Sequence, residues 1–298
     1  PVTLYTYDAT QGFTIDKNTV YPTAKTTLEQ TDRAYSSQLY EAGLNYNNTF
    51  AVKHNVGATF VVNYQRLNNQ YMTGKNLDKS SVPETMGVAK DANLSGDESI
   101  NERASMIGRL NYGYANKYFA EFSFRVDGST NFAPSHRWGF FPSISASWDM
   151  KKEAWLMACR NVSMLKLRTG YGRSGNLGGI SSYTTMNLVR QNGIVSVNSS
   201  PTVTMGMIRN NNPDLKWETR STWNIGGDLG LWNNRLVLTA EYYYSKTTDM
   251  LYAYDVPVPP FAYDKLLANI GSMSNKGIEV ELSYDAYRSE KGFLSFYV

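Results

Sequence analysis

The stretch Tyr118-Phe119-Ala120-Glu121-Phe122-Ser123-Phe124-Arg125-Val126-Asp127 decides the fold class. Tyr118, Ala120, Phe122, Phe124 and Val126 alternate with Glu121, Ser123, Arg125 and Asp127. In an extended backbone successive side chains point to opposite faces, so one face is apolar and the other charged or hydroxylated. A run of about ten such residues has the length of a strand that crosses a membrane at a tilt.

The pattern recurs in both directions along the chain. Val56, Ala58, Phe60, Val62 and Tyr64 stand against Gly57, Thr59, Val61, Asn63 and Gln65, and Ala104, Met106, Gly108, Leu110 and Tyr112 against Arg103, Ser105, Arg109 and Asn111. Downstream, Trp138, Phe140, Ile144, Ala146 and Trp148 oppose Gly139, Ser143, Ser145, Ser147 and Asp149, with Pro142 a local weak point because proline donates no ladder hydrogen bond. Leu165, Leu167 and Tyr171 follow, then a run that sets Leu215, Trp217, Trp223, Ile225, Leu229 and Leu231 on the apolar side. Leu236 to Tyr244 and Ile278 to Tyr284 repeat it, and with Gln38 to Tyr46 and Phe293 to Val298 the set comes to about ten strands.

Connections alternate in length, as in outer-membrane barrels, which join strands by short periplasmic turns and longer extracellular loops. Short connections are expected at Asn47 to His54, Tyr114 to Lys117, Trp232 to Arg235 and Asp285 to Gly292, with a somewhat longer one at Met150 to Met164. Long loops are expected at Arg66 to Glu102, Arg173 to Pro213 and Lys246 to Asn275, with Asp127 to Arg137 the shortest on that side. Tyr112, Tyr114, Tyr118, Trp148 and Trp232 lie beside the short turns, where an aromatic girdle meets the membrane interface. A soluble sandwich or propeller, the competing all-β reading, does not call for this regular alternation.

Composition agrees. Among 298 residues there are 22 Tyr, 12 Phe and 6 Trp, while only 18% are charged. Aromatic residues suit pleated, half-buried surfaces. The net charge of +3 is spread along the chain with no Lys/Arg block, so neither nucleic acid nor an anionic lipid surface is implied as a partner. A mean hydropathy of −0.43 and the lack of any 18-residue apolar run exclude a transmembrane helix but not a barrel, whose strands alternate lipid-facing and lumen-facing residues. The single Cys159 has no partner for an internal disulfide. The strand-like stretches at both ends of the sequence read as parts of a longer chain.

Four motifs carry a family resemblance. Arg125-Val126-Asp127-Gly128-Ser129-Thr130-Asn131-Phe132 with Arg137-Trp138-Gly139-Phe140-Phe141-Pro142-Ser143 is the first. Leu165-Lys166-Leu167-Arg168 with Gly170-Tyr171-Gly172 and Gly175-Asn176 is the second. Asn212-Pro213-Asp214-Leu215-Lys216-Trp217-Glu218 is the third, and Asn269-Ile270-Gly271-Ser272-Met273 with Asn275-Lys276-Gly277 the fourth. In order and spacing they resemble the SusC/RagA-like TonB-dependent transporters of Bacteroidetes, with departures at Thr169 and Arg173-Ser174. The resemblance implies an all-β, transmembrane antiparallel barrel of about 22 strands closed by a plug, of which residues 1–298 supply about ten strands and neither plug, TonB box nor final strand. It also implies import of an oligosaccharide, glycan or peptide across the outer membrane, with a SusD-like surface lipoprotein and the TonB-ExbB-ExbD complex as partners. A passive pore or assembly barrel and a soluble glycan-binding β-protein are the alternatives. The resemblance does not name the substrate.

No residue set reads as catalytic or cofactor-binding. Gly170, Gly172 and Gly175 match a dinucleotide fingerprint, but Asn176-Leu177-Gly178-Gly179 cannot open a strong helix, so these glycines are expected to mark the entry to a loop. Asp91, Asn93, Ser95, Gly96 and Glu102 have the spacing of a calcium loop, although the flanking segments do not read as paired helices. His54 and His136, far apart, suit hydrogen-bonded or solvated roles rather than metal ligation. Glu121, Arg125, Glu218, Arg220, Glu241, Glu279 and Glu281 are expected on the lumen face, paired across strands or against a plug, because charge facing lipid is costly. The aromatic segment Tyr252 to Tyr263 is suited to stacking on sugar rings or to loop packing.

Overall fold

The computed structural model describes residues 5–8, 12–15, 26–78, 92–197, 199–289 and 292–298. A small hairpin of β1 (Tyr5–Asp8) and β2 (Gly12–Ile15) precedes the long strands β3 (Thr26–Phe50), β4 (His54–Asp78) and β5 (Ala92–Tyr114). Next come β6 (Tyr118–Ser129), β7 (Trp138–Asp149), the short helix α1 (Ala154–Met157), β8 (Val162–Asn176), β9 (Val189–Val197) and β10 (Ser200–Met207). The chain ends with β11 (Glu218–Leu231), β12 (Leu236–Asp255), β13 (Lys265–Ser289) and β14 (Gly292–Tyr297). Ten of these strands form one antiparallel sheet in the order β3-β4-β5-β6-β7-β8-β11-β12-β13-β14, while β9 and β10 make a separate hairpin inserted between β8 and β11. Among the described residues β3 and β14 are the two edges of this sheet.

Two compact units divide the chain. Residues 1–38 and 67–100 form the first, and 39–66 with 101–298 the second. In the first, Thr31 and Thr73 hydroxyls meet at 2.9 Å, and the amides of Asn68 and Gln70 both donate to Glu98, at 2.9 and 2.6 Å. Those strands are mostly polar, and the expected loop from Arg66 to Glu102 is extended over residues 66–78 and 92–102, because ladder hydrogen bonds hold a strand without apolar alternation. The expected loop from Lys246 to Asn275 shrinks for the same reason to residues 256–264, and the one from Arg173 to Pro213 holds the β9–β10 hairpin.

Among its described residues the second unit has one small core, whose buried members lie in loops and rest against the ends of β12 and β13. Phe132, Ile180 and Leu215 are buried, with Leu177, Trp217, Leu251 and Leu267 packed around them. Trp217 lies 5.1 Å from the Phe132 ring and 5.7 Å from that of Phe141, and its indole donates to the Arg137 carbonyl at 3.1 Å. Asn131, 2% exposed, donates to the Ile180 carbonyl and accepts from the Asn101 amide, each at 2.6 Å. The expectation that Leu215 and Trp217 continue the apolar strand face is therefore corrected: β11 starts at Glu218, and both residues belong to the loop core.

Pro142 acts as its chemistry requires. β6 pairs with β7 through Phe124 and Pro142, but the ladder between β7 and β8 stops at Ser143 and Gly172. Phe141 packs against β8 where the ladder ends; a Cβ on Gly175 would lie 2.0 Å from its ring. The glycines read as a loop entry thus lie within β8, and at Gly170 and Gly175 the Asn224 amide and the Phe141 ring occupy the space a Cβ would take.

Candidate functional site

The register of the second unit sorts its side chains onto two opposite faces. Leu110, Phe122, Ile144, Tyr171, Trp223 and Tyr244 are successive cross-strand neighbours on β5, β6, β7, β8, β11 and β12. All six are exposed, from 39% at Tyr244 to 57% at Ile144. A row of large exposed apolar residues is a surface that something other than water covers. Toward the short turns the row Tyr114, Tyr118, Trp148 and Leu167 runs parallel to it, with Tyr114 and Tyr118 stacked at 6.3 Å and Tyr118 and Trp148 at 6.1 Å.

Glu153, in the turn after β7, ties that aromatic row down. Its carboxylate accepts from the Tyr118 hydroxyl at 2.7 Å, the Lys117 ammonium at 3.1 Å and the Trp148 indole at 3.2 Å. These donors, the Tyr118 hydroxyl first and then Lys117 and Trp148, hold its carboxyl below the ordinary carboxylate range. Lys151 donates to the carbonyls of Leu156, Met157 and Cys159, so the end of α1 is capped by a cation.

The other face is polar. Asn111, Glu121, Ser145, Gly170 and Asn224 form one row; Ser147, Arg168, Gly226, Glu241 and Glu279 the next; Asp149, Lys166, Asp228, Thr239 and Glu281 a third. Arg109 pairs with Glu121 and Arg125 with Asp127, both at 2.6 Å, while Arg168 holds Glu241 and, at 3.6 Å, Asp228. A recess of about 960 Å³ opens here, lined by Asn47, Asn55, Asn111, Glu121, Arg168 and Asn224 among others. Its amide, hydroxyl and ion-paired side chains can hydrogen-bond a polar solute or another polar protein surface.

The residues singled out in the sequence are distributed accordingly. Glu121, Arg125, Glu241, Glu279 and Glu281 fall on the polar face, Arg220 donates to Ser245 at 2.7 Å, and Glu218 accepts from Asn176 and the Leu251 amide. His54 contacts the Tyr112 hydroxyl at 2.8 Å, and His136 contacts Ser135 at 3.0 Å. The calcium loop does not form. Asp91 lies outside the described residues, Asn93, Ser95, Gly96 and Glu102 lie along β5, and an extended chain at about 3.4 Å per residue keeps Ser95 and Glu102 roughly 24 Å apart. Glu102 instead faces Arg66 at 3.7 Å. Among the described residues no group of three or more His, Cys, Asp or Glu could hold a metal ion. Residues 252–255 of the aromatic loop extend β12, and the Tyr263 hydroxyl donates to the Met207 carbonyl at 2.5 Å. Sequence reasoning missed Gly226, over which Arg168 reaches from β8 to Glu241 on β12, and Glu153, since no local pattern marks either.

Comparison with known proteins places this architecture. TonB-dependent receptor P3 of Formosa agariphila is 33% identical over 258 residues, covering 84% of this chain and 25% of that protein. TonB-dependent receptor SusC of Bacteroides thetaiotaomicron is 35% identical over 185 residues, 61% of this chain and 18% of its own length. The solved structure of the RagAB peptide transporter matches with a TM-score of 0.72 and 25% identity over 88% of this chain and 29% of the matched one. The chain spans about a quarter of the length of the first curated relatives it matches. The model of the "TonB dependent receptor-like, beta-barrel" family covers residues 2–297, and the chain belongs to that family.

Proposed function

We propose that these strands form part of the wall of an outer-membrane importer that takes up a bulky nutrient, an oligosaccharide or a peptide, with energy from the TonB complex and a SusD-like lipoprotein as partner. The observation that carries the reading is the two-faced sheet: a continuous exposed apolar row on one side and a hydrogen-bonding wall on the other. Lipid meets the first and the polar interior the second, the arrangement a membrane barrel needs. Curated relatives called TonB-dependent receptors support the energy source, and the likeness to the RagAB peptide transporter supports a peptide among the cargoes.

Fractionation of the native cells tests this. An outer-membrane chain much longer than 298 residues, co-purifying with a surface lipoprotein and losing uptake when TonB is deleted, is the expected result. A 33.5 kDa species in the soluble fraction overturns it.

A further inference from the structure

On the apolar face the aromatic row gives way abruptly to cations. One step beyond Tyr171, Trp223 and Tyr244 along their strands lie Arg173, Ser221 and Lys246, which are cross-strand neighbours, and Ser274 follows on β13. Lys276 stands beside Tyr244 in the aromatic row itself. Arg173, Lys246 and Lys276 are all exposed, and no acceptor or ion pair holds any of them among the described residues. On the polar face, by contrast, Arg109, Arg125 and Arg168 each hold a carboxylate. No acidic residue shares the row of Arg173 and Lys246, and Asp249, the nearest acid along β12, is already paired with Lys216 at 2.8 Å.

Position along the strands says what these cations meet. Lys246 lies ten residues from Leu236 at the short turn, and Arg173 eleven from Val162. At about 3.4 Å per residue and a tilt near 40°, ten residues climb roughly 26 Å, the height of a barrel's apolar band. The cations therefore sit at the rim of the band farthest from the short turns. One strand, β11, separates Arg173 from Lys246, so two inter-strand spacings put them about 10 Å apart, a span that two long side chains close around one or two phosphates.

We propose that Arg173, Lys246 and Lys276 bind the phosphate-bearing headgroup of an outer-leaflet lipid, whose acyl chains lie on Tyr171, Trp223 and Tyr244. The arginine offers a planar fork to phosphate oxygens, the lysines add point charges, and the Ser221 and Ser274 hydroxyls complete the donor set. This inference rests on the reading of the apolar face as the lipid face.

The test uses the full-length protein, extracted from the outer membrane in non-ionic detergent and titrated with diphosphoryl lipid A, with the same lipid after removal of its phosphates, and with inorganic phosphate, bound lipid being counted by native mass spectrometry. Saturable binding of the phosphorylated lipid is expected, weakened at least about tenfold by removal of its phosphates and by the combined variant Arg173→Ser, Lys246→Ser, Lys276→Ser. Equal affinity for both lipids, or unchanged binding by the variant, overturns the site. Tight binding of inorganic phosphate alone overturns the lipid as its source. If the variant does not fold, as judged by loss of heat-modifiable gel mobility, the comparison of the two lipids on the unaltered protein still decides. Absence of the native chain from the outer membrane would defeat the barrel reading itself, which is a separate result.

Discussion

The Arg168 guanidinium reaches across Gly226 to the Glu241 carboxylate, joining residues 73 positions apart on β8 and β12 over the strand that separates them. Only glycine leaves that passage open. A Cβ at Gly226 would lie 3.0 Å from the Ala240 carbonyl oxygen and 3.2 Å from the guanidinium. Asp228 and the Asn224 amide complete the cluster, at 3.6 Å from Arg168 and 3.2 Å from Glu241.

Gly226→Val is expected to push Arg168 off Glu241 and to lower barrel stability by about 1–2 kcal/mol, because the added side chain crowds both the Ala240 carbonyl and the guanidinium. A double-mutant cycle of Arg168→Met and Glu241→Gln, followed by denaturant unfolding of the full-length barrel in lipid, should return a coupling of about 1 kcal/mol, modest because the pair is partly solvated. Strict additivity would show that the contact contributes nothing.

Phe122 and Ser123 adjoin in sequence but face opposite ways, Phe122 between Leu110 and Ile144 and Ser123 between Arg109 and Ser143. Phe122→Arg should cost about 2–4 kcal/mol in a bilayer, whereas Ser123→Arg should cost well under half of that. Equal penalties in the same unfolding assay would contradict the assignment of faces.

Leu215 is fully buried with Phe132 and Ile180 in a cluster that Leu251 and Leu267 cover from the ends of β12 and β13. Leu215→Ala is expected to cost about 2–5 kcal/mol locally. Hydrogen exchange should quicken in residues 130–137 and 177–188 while β6 and β7 keep their protection. Uniform loosening of the strands would mean that this cluster supports the sheet and not only the loops.

Glu153 makes a pH-dependent contribution. Its carboxyl is held below the ordinary range in the folded protein, so the stabilisation is complete above the ordinary carboxylate pKa and disappears as pH falls through the lowered one. The melting temperature of Glu153→Gln should therefore lie below that of the unaltered protein at neutral pH and converge with it in acid. A gap that persists unchanged into acid would assign the effect to packing instead.

What the sequence determined by itself is the sidedness of the strands. With a period of two, Phe122 and Ser123 cannot share a face, and the aromatic residues beside the short turns at Tyr114 and Trp148 follow from the same arithmetic. Four motifs pointed to the family, and much of their content is now explained as packing: Phe132, Phe141, Gly175 and Trp217 meet in one loop core and the strand end beside it. Only the tertiary structure decided where strands end. The polar reach of β4 past Arg66 is held by backbone ladders, which any side chains permit, and Leu215 fits the apolar alternation yet turns into a loop core made of residues distant in sequence. The Arg168 and Glu241 pair and the outer rim of Arg173 and Lys246 also arise from cross-strand register, which brings residues from separate strands side by side; one-dimensional spacing carries no record of that.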